Sequence, residues 1–106
     1  MSGKASGISA FIVCKNEAAN MERCLASLAW CDEIVVVDSG STDGTLEICA
    51  RHGCRVVHRD WTGYVDQKAH GLSLCSQPWI LNLDADEEVS PELRSEIEAI
   101  LRRDVE

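Results

Sequence analysis

Trp79-Ile80-Leu81-Asn82-Leu83-Asp84-Ala85-Asp86-Glu87-Glu88 starts as an apolar run of strand length and ends in four carboxylates within five residues. A short apolar run of this kind reads as a strand buried on both faces, as in a parallel sheet under helices. Open α/β sheets present their ligands beyond the carboxyl ends of the strands. Asp84 and Asp86 stand at that end, with the small Ala85 between them. Two hard oxygen donors at this spacing suit Mg²⁺ or Mn²⁺, which keep several waters and bind through one or two carboxylates plus substrate phosphates. A solvated acidic turn would carry the same residues, so the rest of the chain has to decide between the two.

Other strands precede this one. Glu33-Ile34-Val35-Val36-Val37-Asp38 sets four apolar residues in a row before a carboxylate, and Ile8-Ser9-Ala10-Phe11-Ile12-Val13-Cys14 is rich in residues that favour a buried pleat. Arg55-Val56-Val57-His58-Arg59 predicts a shorter strand. Helical spacing fills the gaps. Asn20 can cap a helix with apolar positions Met21, Cys24, Leu25 and Leu28. Ser39-Gly40-Ser41-Thr42-Asp43-Gly44-Thr45 is a loop of turn and capping residues, with Asp43 expected in a first helical turn rather than as a ligand. The helix that follows turns Leu46, Ile48 and Cys49 to the sheet, places His52 at its negative end and uses Gly53 as a left-handed cap. Residues 65–75 predict a third helix, stopped by Ser76-Gln77-Pro78. Ser90-Pro91 opens a fourth, in which serine caps, proline takes the first position and Glu92 faces the positive end, ahead of Leu93, Ile97, Ile100 and Leu101. Trp30 and Trp79 are expected in the core.

Strand and helix alternate throughout. The expected fold is therefore α/β, an open parallel sheet with right-handed crossovers, in one domain over residues 1–106 with residues 1–7 disordered.

A chain of 106 residues supports one core. Its net charge of −8 argues against a general nucleic-acid binder, because nothing basic is massed against phosphates. The six cysteines form no C-x-x-C pair, which argues against zinc and reads as small buried thiols in a reducing compartment. No apolar run approaches the roughly 20 residues of a membrane span, and the first seven residues lack a signal-peptide core, so synthesis in the cytosol is expected.

If the first strand is central, with the second and third on one side and the fourth on the other, the strand order is 3-2-1-4 and a crevice opens where the order reverses. Lys15-Asn16-Glu17, Asp38, and Asp84 with Asp86 then meet at one rim. A dinucleotide site or a P-loop would need glycines after the first strand, and Cys14-Lys15-Asn16-Glu17 has none. Carboxylates accept hydrogen bonds from base N–H groups and ribose hydroxyls, and they can anchor a cation on a pyrophosphate. That chemistry fits a nucleoside diphosphate carrying a group to be transferred.

Three ordered motifs, Phe11-Ile12-Val13-Cys14-Lys15-Asn16-Glu17, Val36-Val37-Asp38-Ser39-Gly40-Ser41-Thr42-Asp43-Gly44-Thr45 and Leu83-Asp84-Ala85-Asp86-Glu87, resemble the amino-terminal, donor-binding half of family-two GT-A glycosyltransferases. Trp61-Thr62-Gly63-Tyr64 followed by Gln67-Lys68 is most similar to the β-1,4-glucosyltransferases of the lipopolysaccharide inner core. The resemblance implies inverting transfer from a UDP-sugar, UDP-glucose, to a saccharide hydroxyl of a lipopolysaccharide core. It implies that Asp38 accepts from the uracil or its ribose, with Glu17 beside the base and Asn16 among the donor-binding residues. Asp84 would hold the ribose or help order the metal, Asp86 would coordinate Mn²⁺ or Mg²⁺, and Lys68 would reach the base or phosphates. Much of the family has two consecutive acids after the second strand, where this chain has Asp38-Ser39. The family's acceptor half and its general base lie beyond residue 106, so no catalytic base is assigned here, and Glu87, Glu88 and Glu92 are not promoted to that role. A cytoplasmic protein is implied, with peripheral contact at the inner face of the membrane and a homodimer through surface left by the missing half as further expectations.

Two other classes compete. An Asp-nucleophile phosphotransferase also places Asp-x-Asp after a strand, but it wants a small Thr or Val where Glu88 stands. A non-catalytic nucleotide-binding or interaction module would keep the sheet without the chemistry. His58 and His70 have no partners at ligand spacing and read as ordinary histidines, and Lys15 reads as a solvated residue at the cleft mouth. Trp61 and Tyr64 are expected on a loop over the donor cleft.

Overall fold

The computed structural model describes residues 7–104, so the expectation of disorder lies, for residues 1–6, outside the described residues. Strand and helix alternate as β1 (Ile8–Cys14), α1 (Ala18–Ala26), β2 (Glu33–Asp38), α2 (Thr45–Arg51), β3 (Arg55–His58), α3 (Tyr64–Leu74), β4 (Trp79–Asn82) and α4 (Pro91–Asp104). All strand pairs are parallel, and the sheet order is β3-β2-β1-β4.

The middle strands are apolar because helices cover both their faces. Ala10, Ile12, Cys14 and Val36 face Met21, Cys24 and Leu25 of α1 and Cys49 of α2 in one cluster. On the other face, α3 closes so tightly on β1 that a Cβ at Gly71 would lie 2.7 Å from the Phe11 ring. Val35, Val36 and Val37 are all fully buried, each worth about 1.5–3 kcal/mol on removal from water.

At the amino-terminal end of the sheet, a Glu33 carboxylate oxygen accepts from the Ser9 hydroxyl at 2.7 Å, the Ser76 amide at 2.8 Å and the Ser76 hydroxyl at 3.0 Å. One side chain thus ties β1, β2 and the approach to β4 at the end opposite the carboxyl rim.

Several local expectations need correction. β4 is an edge strand, and Trp79 and Ile80 are 39% and 38% exposed, so neither burial on both faces nor a core Trp79 holds. A strand is buried on both faces only where elements pack above and below the sheet at that position, and an apolar run does not report that. Helix α1 begins at Ala18, two residues before the expected Asn20 cap, because the N–H groups at its start are met by Asp43 of the loop after β2 and by Thr45 of α2. Leu46 is 39% exposed, while Thr45, the first residue of α2, takes the inner stripe with Ile48 and Cys49. In α4, Leu93 and Ile100 are exposed and Leu101 is buried. Ser90 does cap α4, its hydroxyl accepting the Leu93 amide at 3.1 Å, and Gly53 has the left-handed φ of 69°.

Candidate functional site

Parallel pairing puts the carboxyl ends of all four strands on one rim. Asp38 stands opposite Cys14 in the β1–β2 register, and Asn82 stands opposite Phe11 in the β1–β4 register. The Leu83 amide still reaches the Phe11 carbonyl at 3.2 Å, so Asp84 leaves the sheet beside β1 on the same rim as Asp38.

The loop after β2 is built on Asp38. Its side chain is 2% exposed and accepts from the Gly40 amide at 2.9 Å, the Ser41 amide at 2.8 Å, the Ser41 hydroxyl and the Cys14 thiol. Gly40 takes φ 122°, open to glycine, so that its N–H can point back at the carboxylate. Burial pushes the Asp38 carboxyl up, yet the Ser41 hydroxyl, the two amides and the thiol together outweigh it and hold the group below the usual carboxylate value. Asp38 is therefore the ionised floor of this loop.

Asn16 and Asp43 join the loops after β1 and β2. Asn16 sits at the left-handed φ of 54°, a conformation asparagine tolerates, and its Oδ1 accepts from the Thr42 amide at 2.7 Å and the Asp43 amide at 3.3 Å. Its own amide donates to the Ser41 hydroxyl at 2.8 Å. One Asp43 oxygen accepts from the Thr45 amide at 2.9 Å and from the Thr45 hydroxyl, while the other accepts from the Ala18 amide at 3.2 Å. A single carboxylate thus caps the starts of α1 and α2. The Thr45 hydroxyl and amide, with the Ala18 amide, hold Asp43 below the ordinary carboxylate value. Asp43 precedes the helix rather than lying in its first turn. Caps contributed across two loops leave no periodic signal, although the density of Ser, Thr, Asp and Gly over residues 39–45 marks the place.

Above this floor opens a cavity of about 320 Å³, lined by Val13, Cys14, Lys15, Glu17, Ser39, Trp61 and Tyr64. The volume lies at the low end of the range for small-molecule sites. Glu17 is held by its neighbours, its amide donating to the Thr45 hydroxyl at 2.9 Å and its Oε1 accepting from Asn20 Nδ2 at 3.2 Å. Lys15 is exposed at the mouth. Trp61 and Tyr64 stand edge to face, with ring centroids 5.5 Å apart, and Lys68 Nζ lies 4.9 Å from the Tyr64 ring centroid. Of the residues singled out in the sequence, Lys15, Glu17, Trp61 and Tyr64 line the cavity and Lys68 stands against the Tyr64 ring. Asp38 and Asn16 brace the loops around it, a bracing role their types did not announce.

Asp84 and Asp86 lie on the far flank of β1. The Glu87 amide donates to the Asp84 carbonyl at 2.9 Å, closing a turn over residues 84–87, and the Glu87 carboxylate accepts from the Asp84 amide at 2.9 Å. Ala85 is 4% exposed and anchors the turn in the core, which leaves both aspartates exposed. Among the described residues no group of three or more His, Cys, Asp or Glu could hold a metal ion on protein ligands alone. A hard cation that keeps waters and shares phosphate oxygens needs only one or two carboxylates, and this pair fits that demand.

A family profile described as Glycosyl transferase family 2 matches residues 9–105. The chain belongs to this family. It is 53% identical over 94 residues to an uncharacterized glycosyltransferase of Rickettsia felis, covering 88% of this chain and 33% of that one. It is 44% identical over 99 residues to the lipopolysaccharide core biosynthesis glycosyltransferase LpsC of Rhizobium meliloti, covering 89% and 37%. Among solved structures, glucosyl-3-phosphoglycerate synthase from Mycobacterium tuberculosis, in complex with Mn²⁺, uridine-diphosphate and glucosyl-3-phosphoglycerate, superposes with a TM-score of 0.67 at 25% identity, over 78% of this chain and 36% of that one. The chain thus spans about a third of the length of the curated relatives it matches. Glycosyl transferase family 2 membership and the 3-2-1-4 parallel sheet agree with the GT-A fold the motifs resemble. Among the described residues no helix is long and apolar enough to cross a membrane.

Proposed function

We propose that this family 2 chain is the donor-binding part of a glycosyltransferase that takes UDP-glucose, with Mn²⁺ or Mg²⁺, for inverting transfer to a sugar hydroxyl of a lipopolysaccharide core. The observation that carries the reading is the meeting of Glu17 and the loop built on Asp38 at a cavity of ligand size, with the turn bearing Asp84 and Asp86 on the same carboxyl rim across β1. The names of LpsC and of the synthase bound to Mn²⁺ and uridine-diphosphate support it. In this reading Glu17 and the Ser39 loop receive the nucleoside, Lys68, beside the Tyr64 ring, stands at the base end of the donor, and Asp84 and Asp86 hold the cation. A bound cation would supply the charge that stabilises the departing diphosphate. No general base is assigned among these residues, and the acceptor, peripheral membrane contact and homodimer are proposals for the whole protein.

Titration calorimetry with UDP tests the reading. UDP binding that requires Mn²⁺ and disappears in Asp86→Asn, with the fold retained, is the expected result. Binding unchanged in that variant would remove the metal role.

A further inference from the structure

Behind the aromatic wall of the cavity lies a polar group that the fold leaves half satisfied. Gln67 of α3 is fully buried; its Nε2 donates to the Arg59 carbonyl at 3.0 Å, while its Oε1 has no partner. An apolar side chain of similar volume would fill the same space with no unmet acceptor. What the residue holds is a loop. Its side-chain amide pins Arg59, where the chain leaves β3, and its backbone N–H donates to the Gly63 carbonyl at 3.1 Å, where α3 begins. Between those anchors stands Trp61, and Tyr64 follows at once. The two rings are 54% and 51% exposed and both line the cavity shared with Glu17 and Ser39.

We infer that Trp61 and Tyr64 form the wall on which the nucleobase of the donor stacks, and that Gln67 is the positioning residue that fixes this wall. The inference rests on the donor reading above. Sheet order decides which end of the ligand meets the rings. The aromatic wall follows β3, the turn bearing Asp84 and Asp86 follows β4, and β2 and β1 lie between. Three strand spacings make about 14 Å, a separation suited to a nucleotide laid along the rim with its phosphates at the acids and its base at the rings. A base presents a π face to stack on whatever its hydrogen-bonding edge, so the rings supply affinity and the polar loops supply selectivity.

The test is titration calorimetry of the full chain with UDP, UDP-glucose and inorganic pyrophosphate, all in Mn²⁺. Trp61→Ala should weaken UDP about tenfold to a hundredfold and leave pyrophosphate unchanged. Gln67→Met should weaken UDP in the same selective manner while its melting temperature stays equal or rises, an outcome a merely structural role would not give. Trp61→Ala carries the test alone if Gln67→Met does not fold. Unchanged UDP affinity in Trp61→Ala, or equal losses for UDP and pyrophosphate, overturns the inference. A loss confined to UDP-glucose places the sugar on the rings and also overturns it. A wild-type chain that binds pyrophosphate but no UDP overturns the donor reading itself, and this inference with it.

Discussion

The side-chain carbonyl of Asn16 accepts the backbone N–H of Thr42 at 2.7 Å, across 26 positions of sequence, and so locks the loop after β1 to the loop after β2. Asn16→Ala removes that bond and forces alanine into a left-handed backbone, which together should cost about 2–3 kcal/mol. Asn16→Gly keeps the backbone free and loses only the side-chain acceptor of the Thr42 and Asp43 amides, so it should cost about 1 kcal/mol. Urea denaturation of the two variants separates the contributions, and equal losses would show that the left-handed backbone adds nothing.

Acid should loosen the rim. Hydrogen bonds hold Asp38 and Asp43 below their ordinary values, and the Ser76 amide and Ser9 hydroxyl do the same for Glu33. A carboxylate lowered in the folded state contributes stability that is present above its unfolded value, near pH 4, and is lost as pH falls through the folded one. Melting temperature should therefore drop below about pH 4. Ser41→Ala removes an Asp38 donor and narrows the gap between the folded and unfolded values, so that variant should be less stable than the wild type above about pH 4 and lose less on acidification.

Alkali acts through the thiols. Burial pushes Cys24 and Cys31 each up to about 12 and raises Cys14 as well. Groups raised in the folded state give stability that is complete below their unfolded value, near pH 8.5, and declines as pH rises above it. Thermal melts between pH 7 and 10 should show the decline. Cys24→Ala should be less stable than wild type at pH 7 and lose less across that interval.

Gly71→Ala sets helix propensity against packing. Alanine inside a helix is favoured over glycine by about 1 kcal/mol, yet here its Cβ would stand 2.7 Å and 3.1 Å from carbons of the buried Phe11 ring. Overpacking of this kind costs about 1–3 kcal/mol, so the variant should be destabilised on balance. A rise in chemical-denaturation midpoint would mean that the Phe11 ring yields.

The strands and their order could be read from the chain because β1 and β2 are continuous apolar runs that end in polar groups, and parallel crossovers leave few alternatives. The exposure of Trp79 could not, since what covers an edge is no property of the edge itself. The start of α1 escaped for a related reason: Asp43 of the loop after β2 and Thr45 at the start of α2 cap it, and spacing along one helix does not report donors met from elsewhere. In the site, the positions of Glu17, Asp84 and Asp86 followed from the ends of strands. The internal bonding of Asp38 and Asn16 required the loop that Ser41 and Thr42 close around them.

Asp43 reaches Thr45 two residues on and Ala18 across 25 positions, so its full set of bonds requires the loops after β1 and β2 to be brought together. The pocket rim accordingly exists only where β1 and β2 are paired. A small molecule that recognises it selects finished molecules alone, and by mass action it would protect them against heat and proteolysis in proportion to the logarithm of its concentration.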